Sequence, residues 1–137
     1  MTKDIWINLP VKDLDKSRAF FTTLGFPLNP RHMNSQEAAS LVIGEKNVIV
    51  MLFPEKTFEK YTNIPLADTQ KSSEVLFSIG AETKEEVDEM VKKVEQAGGT
   101  VYSRPYDQGW MYGAGFADLD GHRWNVLYMD LSKMPEE

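Results

Sequence analysis

The chain has 137 residues, 42% of them apolar and none of them cysteine. That suits one domain with a sizeable core, and it excludes disulfides, thiolate metal sites and cysteine nucleophiles. Lysines and arginines number 15 against 21 aspartates and glutamates, a formal charge of -6, and no basic cluster is present to track phosphates, so nucleic acid is not an expected partner.

The charged start, Met1-Thr2-Lys3-Asp4, leads straight into a strand-like run with no apolar leader segment. The apolar runs are about half a dozen residues at most, against the ~20 that span a bilayer. A cytosolic protein without a membrane span is therefore expected.

Ile5 to Leu9 alternates like a strand, with Ile5, Ile7 and Leu9 on one face and Trp6 and Asn8 on the other. Pro10 is expected to end it. Asp13 is a candidate N-cap for a helix that buries Leu14, Phe20, Phe21 and Leu24, and Gly25 supplies the stop. Three strands are expected next, at Phe26–His32, Ala38–Ile43 and Val48–Phe53, with Gly44-Glu45-Lys46-Asn47 as the turn between the last two. The polar stretch from Pro54 to Ser72 reads as a connection, with one short helical pattern around Phe58 and Tyr61.

A strand at Val75–Ile79 opens the second half. Thr83 and Glu86 have the spacing of a capping box, and Val87, Met90, Val91, Val94 and Ala97 form the helix's apolar stripe before Gly98-Gly99. Strands are expected at Val101–Tyr102, Trp110–Ala117 and Arg123–Met129, with Asp118-Leu119-Asp120-Gly121 as the last turn. Ser132 to Glu137 reads as a frayed tail. Gly109, Gly113 and Gly115 permit a close backbone approach beside Trp110, Met111 and Tyr112.

The order is strand, helix and three strands, then the same again. This predicts an α+β fold of two βαβββ modules, at 3–66 and 72–131 of a single domain spanning 1–137, with a cleft between two sheets.

That order resembles the vicinal-oxygen-chelate superfamily, which includes glyoxalases, bleomycin-resistance proteins and extradiol dioxygenases. Two segments carry the resemblance. One is Asn8-Leu-Pro-Val-Lys-Asp-Leu-Asp-Lys-Ser-Arg-Ala-Phe-Phe21 with Leu24-Gly25-Phe26. The other is Phe116-Ala-Asp-Leu-Asp-Gly-His-Arg-Trp-Asn125-Val. The resemblance implies a cleft in which relatives hold one divalent metal as a Lewis acid for two neighbouring substrate oxygens. Its four ligand positions fall here on Trp6, a residue near Met51, Glu74 and Asn125. Only Glu74 is charged, so no metal or other cofactor is expected. With His32 and His122 the only histidines, and neither placed inward on a first strand, extradiol chemistry is not expected.

Several residues have two readings. Glu74 is a general base or a solvated carboxylate. Asn125 orients a ligand or satisfies the backbone. Trp6, beside Asn8, is a stacking floor or a plug. Tyr112 offers a phenol or packs in a strand. Ser78 shares the expected cleft face with Glu74 and Leu76. The Asp118–Gly121 segment resembles a calcium loop but lacks its later ligands, so it is expected to be a hairpin turn with His122 exposed after it.

The function this favours is metal-independent binding of a small molecule in an acidic, aromatic cleft. Ligand-binding candidates are Trp6, Asn8, Ser78, Tyr112 and Asn125. The alternative is a lyase or isomerase of the glyoxalase type, with Glu74 as the catalytic group and a weakly held divalent metal. A homodimer is expected from relatives of this size and from apolar residues such as Trp110, Met111 and Met129.

Overall fold

The computed structural model describes residues 1–136. Glu137, the last residue of the expected tail, lies outside the described residues. The chain forms two compact units, Met1–Asp68 and the remainder from Thr69. The fold is α+β, with one sheet of three strands and one of four.

The first unit contains β1 (Ile7–Val11), α1 (Leu14–Leu24), β2 (Ala39–Ile43), β3 (Val48–Pro54) and α2 (Glu55–Thr62). Its sheet order is β1-β3-β2, with β1 parallel to β3 and β2 antiparallel to it. Asp13 caps α1 by accepting from the Lys16 N–H at 3.0 Å, and Gly25 ends the helix at a φ of 99°. Both were legible in the sequence, because a short acceptor and a residue free to adopt positive φ are what helix ends need. Helix α1 packs on β2 and β3. Phe20, Phe21, Leu24, Leu41, Val50 and Leu52 are buried there, each side chain contributing roughly 1.5–3 kcal/mol.

Three expectations fail in this unit. Pro10 does not end β1, which runs on to Val11. As an edge strand it tolerates a residue without a donor. Ile5 does not pack under a helix; it precedes β1 and is 83% exposed. Residues 26–32 form no strand. A single bridge joins Leu28 to Leu41, and Asn29 caps a 3-10 turn at Pro30–His32. Pro27 and Pro30 remove two of the donors a ladder would use.

The second unit contains β4 (Leu76–Gly80), α3 (Lys84–Gln96), β5 (Thr100–Asp107), β6 (Met111–Ala117) and β7 (Arg123–Met129), in sheet order β4-β7-β6-β5. The capping box forms, with Thr83 Oγ1 accepting from the Glu86 N–H at 3.1 Å. Glu86 reaches back one residue further than expected, to the Glu82 N–H at 2.8 Å. Val87, Val91, Ala114 and Val126 form the core beneath α3. Trp124 is buried between Phe77, at 4.9 Å, and Phe116, stacked at 6.2 Å.

Strand β5 is longer than the expected Val101–Tyr102. It continues through Pro105 with two breaks in register, again as an edge strand. Val75, expected beneath the helix, lies before β4 and is 53% exposed. No helix among the described residues is long and apolar enough to cross a membrane.

Candidate functional site

In the first sheet the alternation predicted for β1 holds over its ladder. Leu9 and Val11 are buried, Ile7 is half-buried and Asn8 is exposed. Asn8 pairs with Met51 across β1 and β3, so both belong to the face opposite the core. Ile49 and Phe53 share that face by parity. Trp6 stands one residue ahead of β1 and is 57% exposed. With Asp4, Ile5, Ile49, Met51 and Phe53 it lines a cavity of about 530 Å³. The lining is mainly apolar and aromatic, with Asn47 and Asp4 as its polar residues.

In the second sheet the open face carries Ser78 and Asn125, which are direct neighbours in the β4–β7 ladder. The Asn125 amide donates to Ser78 Oγ at 3.5 Å. On the same face the Arg123 guanidinium lies 4.6 Å from the Tyr102 ring centre. That ring rests on Gly115, where a Cβ would stand 2.7 Å from it. Here the expected close approach is real, made by a neighbouring side chain.

Tyr112 belongs to the other face of that sheet. It packs against the core under α3 and donates to Asp88 at 2.6 Å. That hydrogen bond holds its phenol above the usual range. The Lys84 ammonium lies 5.7 Å from its ring centre and pairs with Asp107 at 3.0 Å. Tyr112 borders a small cavity of about 150 Å³. Ser78 and Asn125 thus share a face that Tyr112 does not.

Glu74 is exposed and precedes β4. The four positions that the resemblance assigns to a metal therefore present an indole, a thioether, a solvated carboxylate and an amide bonded to a serine. Among the described residues, no three His, Cys, Asp or Glu side chains gather closely enough to hold a metal ion.

The pattern of the Glyoxalase/Bleomycin resistance protein/Dioxygenase superfamily matches residues 5–126. The chain belongs to this superfamily. Among solved structures, a hypothetical protein from S. aureus is 38% identical, with a TM-score of 0.83 over 93% of this chain and 95% of that one. A genomically encoded fosfomycin resistance protein from Listeria monocytogenes is 19% identical, with a TM-score of 0.68 over 97% and 98%. Lactoylglutathione lyase from Agrobacterium tumefaciens is 18% identical, with a TM-score of 0.64 over 98% of each chain. At such identities the last two show the shared fold alone. No curated protein matches the chain.

This superfamily member also carries features that its sequence concealed. His122, expected to be exposed, is buried at 8% exposure, beside the buried Asp118. The turn that holds them folds inward, because Asp118 accepts from the Asp120 and His122 N–H groups, each at 3.0 Å, and from Trp124 Nε1 at 3.1 Å. Burial pushes the Asp118 carboxyl above its ordinary value, against the pull of His122 and the Trp124 N–H.

Arg18 is a second buried charge. It pairs with Asp15 at 2.9 Å and donates to the carbonyls of His32, Ser35 and Ala38. One signal was available: Arg18 sits four residues after Leu14 and three before Phe21, on the helix's apolar stripe.

Proposed function

We propose that the protein binds a small aromatic molecule without a metal ion. One observation supports this reading. Two of the expected ligand positions, Trp6 and Met51, line a single apolar cavity of about 530 Å³. An indole cannot ligate, and a thioether is a poor ligand for hard or borderline dications. A catalytic divalent site needs about three suitable protein ligands and an open position, and the residues present do not fit that requirement. They do fit a flat apolar ligand, which gains by stacking and by leaving water. The Asp4 carboxylate in its lining favours a neutral or cationic ligand over an anion.

Elemental analysis of the purified protein tests this. Zinc, nickel, manganese and iron are each expected well below one equivalent per chain. A full equivalent, lost in Glu74→Ala together with a lyase or isomerase activity, overturns the reading and restores the metal-dependent alternative. That alternative has the superfamily fold behind it and one carboxylate that is exposed ahead of its strand.

The protein is also proposed to form a homodimer. Leu76, Tyr102 and Met129 are 55%, 44% and 46% exposed, apolar area of the kind that a partner surface covers. Sedimentation at micromolar concentration is expected to give a species of twice the 15.6 kDa chain mass. A single species at the chain mass would count against it.

A further inference from the structure

A second cavity, of about 350 Å³, adjoins the first in the same unit. Met51 and Phe53 line both. Its other walls come from three separate places: His32 on the 3-10 turn, Glu37 before β2, and Thr57 and Tyr61 on α2. The first cavity is mainly apolar, with Asp4 and Asn47 as its polar residues; this one is rich in polar groups that the fold does not use. Among the described residues the Glu37 carboxylate and the Thr57 and Tyr61 hydroxyls enter no hydrogen bond or ion pair, and His32 Nδ1 is shielded without a partner. Tyr61 meets Phe53 edge-on, ring centres 5.3 Å apart at 78°, so aromatic surface lies beside the carboxylate.

Resting on the aromatic-ligand reading above, we propose that this cavity is the polar half of a two-part site and takes the ammonium group of an amine whose aromatic part occupies the Trp6 cavity. An ammonium has three donors and no acceptor. Glu37, Thr57 and Tyr61 offer it oxygen acceptors, and the aromatic pair offers ring faces that attract a cation. Arg31, Lys56 and Lys60 adjoin lining residues in sequence but do not line the cavity, and neither does the buried Arg18. It is spent on Asp15 and on the carbonyls of His32, Ser35 and Ala38, and so holds the rim in place without repelling a cation. A carboxylate in each cavity, Asp4 in the first and Glu37 in the second, disfavours an anion in either.

Calorimetric titration of the whole protein with three indoles tests the inference. Tryptamine carries the ammonium, tryptophol a neutral hydroxyl and indole-3-propionate a carboxylate. Tryptamine is expected to bind about fivefold tighter than tryptophol, the scale of an ion pair with an exposed carboxylate, and indole-3-propionate is expected to be weakest. Glu37→Gln is expected to bring tryptamine down to the level of tryptophol. Glu45→Gln, the same charge change on an exposed turn, is expected to leave it unaltered.

Equal affinity for tryptamine and tryptophol overturns the polar subsite. So does an equal effect of the two glutamate variants, which would mark a bulk charge effect. If both indoles bind alike and Trp6→Ala weakens both, the subsite falls while the aromatic cavity stands. If none of the three binds, both fall.

Discussion

Asp118→Ala is expected to destabilise the protein by about 3–5 kcal/mol, because a buried donor left without an acceptor costs roughly 1–3 kcal/mol. Three donors lose theirs together: the Asp120 and His122 N–H groups and Trp124 Nε1. Thermal unfolding should fall by roughly 10–20 °C for a chain of this size. Asp118→Asn keeps one oxygen for the two backbone donors and loses the acceptor opposite Trp124, so its cost is smaller, about 1–2 kcal/mol. Equal melting temperatures for Asp118→Ala and the parent would show that the turn does not depend on this carboxylate.

The same group sets a pH dependence with a definite sign. Its carboxyl is raised in the folded protein, chiefly by burial. A raised group binds its proton more tightly when folded. Its favourable contribution is therefore full below the ordinary aspartate value near ~4 and is lost as pH rises through the elevated one. Melting curves of the parent and Asp118→Asn, compared from acid upward, should show the parent's relative stability declining above about pH 4.

Arg18→Ala is expected to cost about 3 kcal/mol and to loosen one segment first. Its guanidinium serves three carbonyls between residues 32 and 38, and an alanine removes that donor, leaving the His32 carbonyl only the long bond from the Ser35 N–H. Arg18→Lys should recover less than half, since one ammonium nitrogen cannot serve Asp15 and the three carbonyls together, as the two terminal guanidinium nitrogens do. Amide hydrogen exchange should show residues 30–40 opening ahead of β3, and tryptamine selectivity should fall with them. Uniform protection across the first unit in Arg18→Ala would contradict this role.

The helix ends and the final hairpin were legible because local chemistry decides them. Asp13, Gly25, Thr83 and Glu86 act on neighbours within a few residues, and β7 falls where its alternation places it. The misread strands share a physical cause. Prolines 10, 27, 30 and 105 are alike in sequence, but an edge position tolerates the first and last while the middle two break a ladder. Edge or centre is a property of the assembled sheet.

The site was half legible for a related reason. Trp6 and Met51 were found because the superfamily pattern points at them. His32, Glu37, Thr57 and Tyr61 come from a turn, a loop and a helix that share no spacing, and only packing onto the end of β3 unites them. Tyr112 was a site candidate because it stands on a strand among Gly109, Gly113 and Gly115, and the pleat of β6 turns it to the helix side.

The indole cavity is built largely from parts that adapt. Ile5 and Trp6 lie outside the β1 ladder, and the floor includes Met51, whose unbranched thioether has three rotatable bonds and can reshape around different guests. On the proposed reading such a wall would discriminate poorly by shape, in the manner of promiscuous binders. Discrimination would then fall to the second cavity, whose rim Arg18 pins. A family of amines with varied ring systems would be accepted more evenly than one ring system with varied head groups, and the protein's breadth would lie in the hydrocarbon it tolerates.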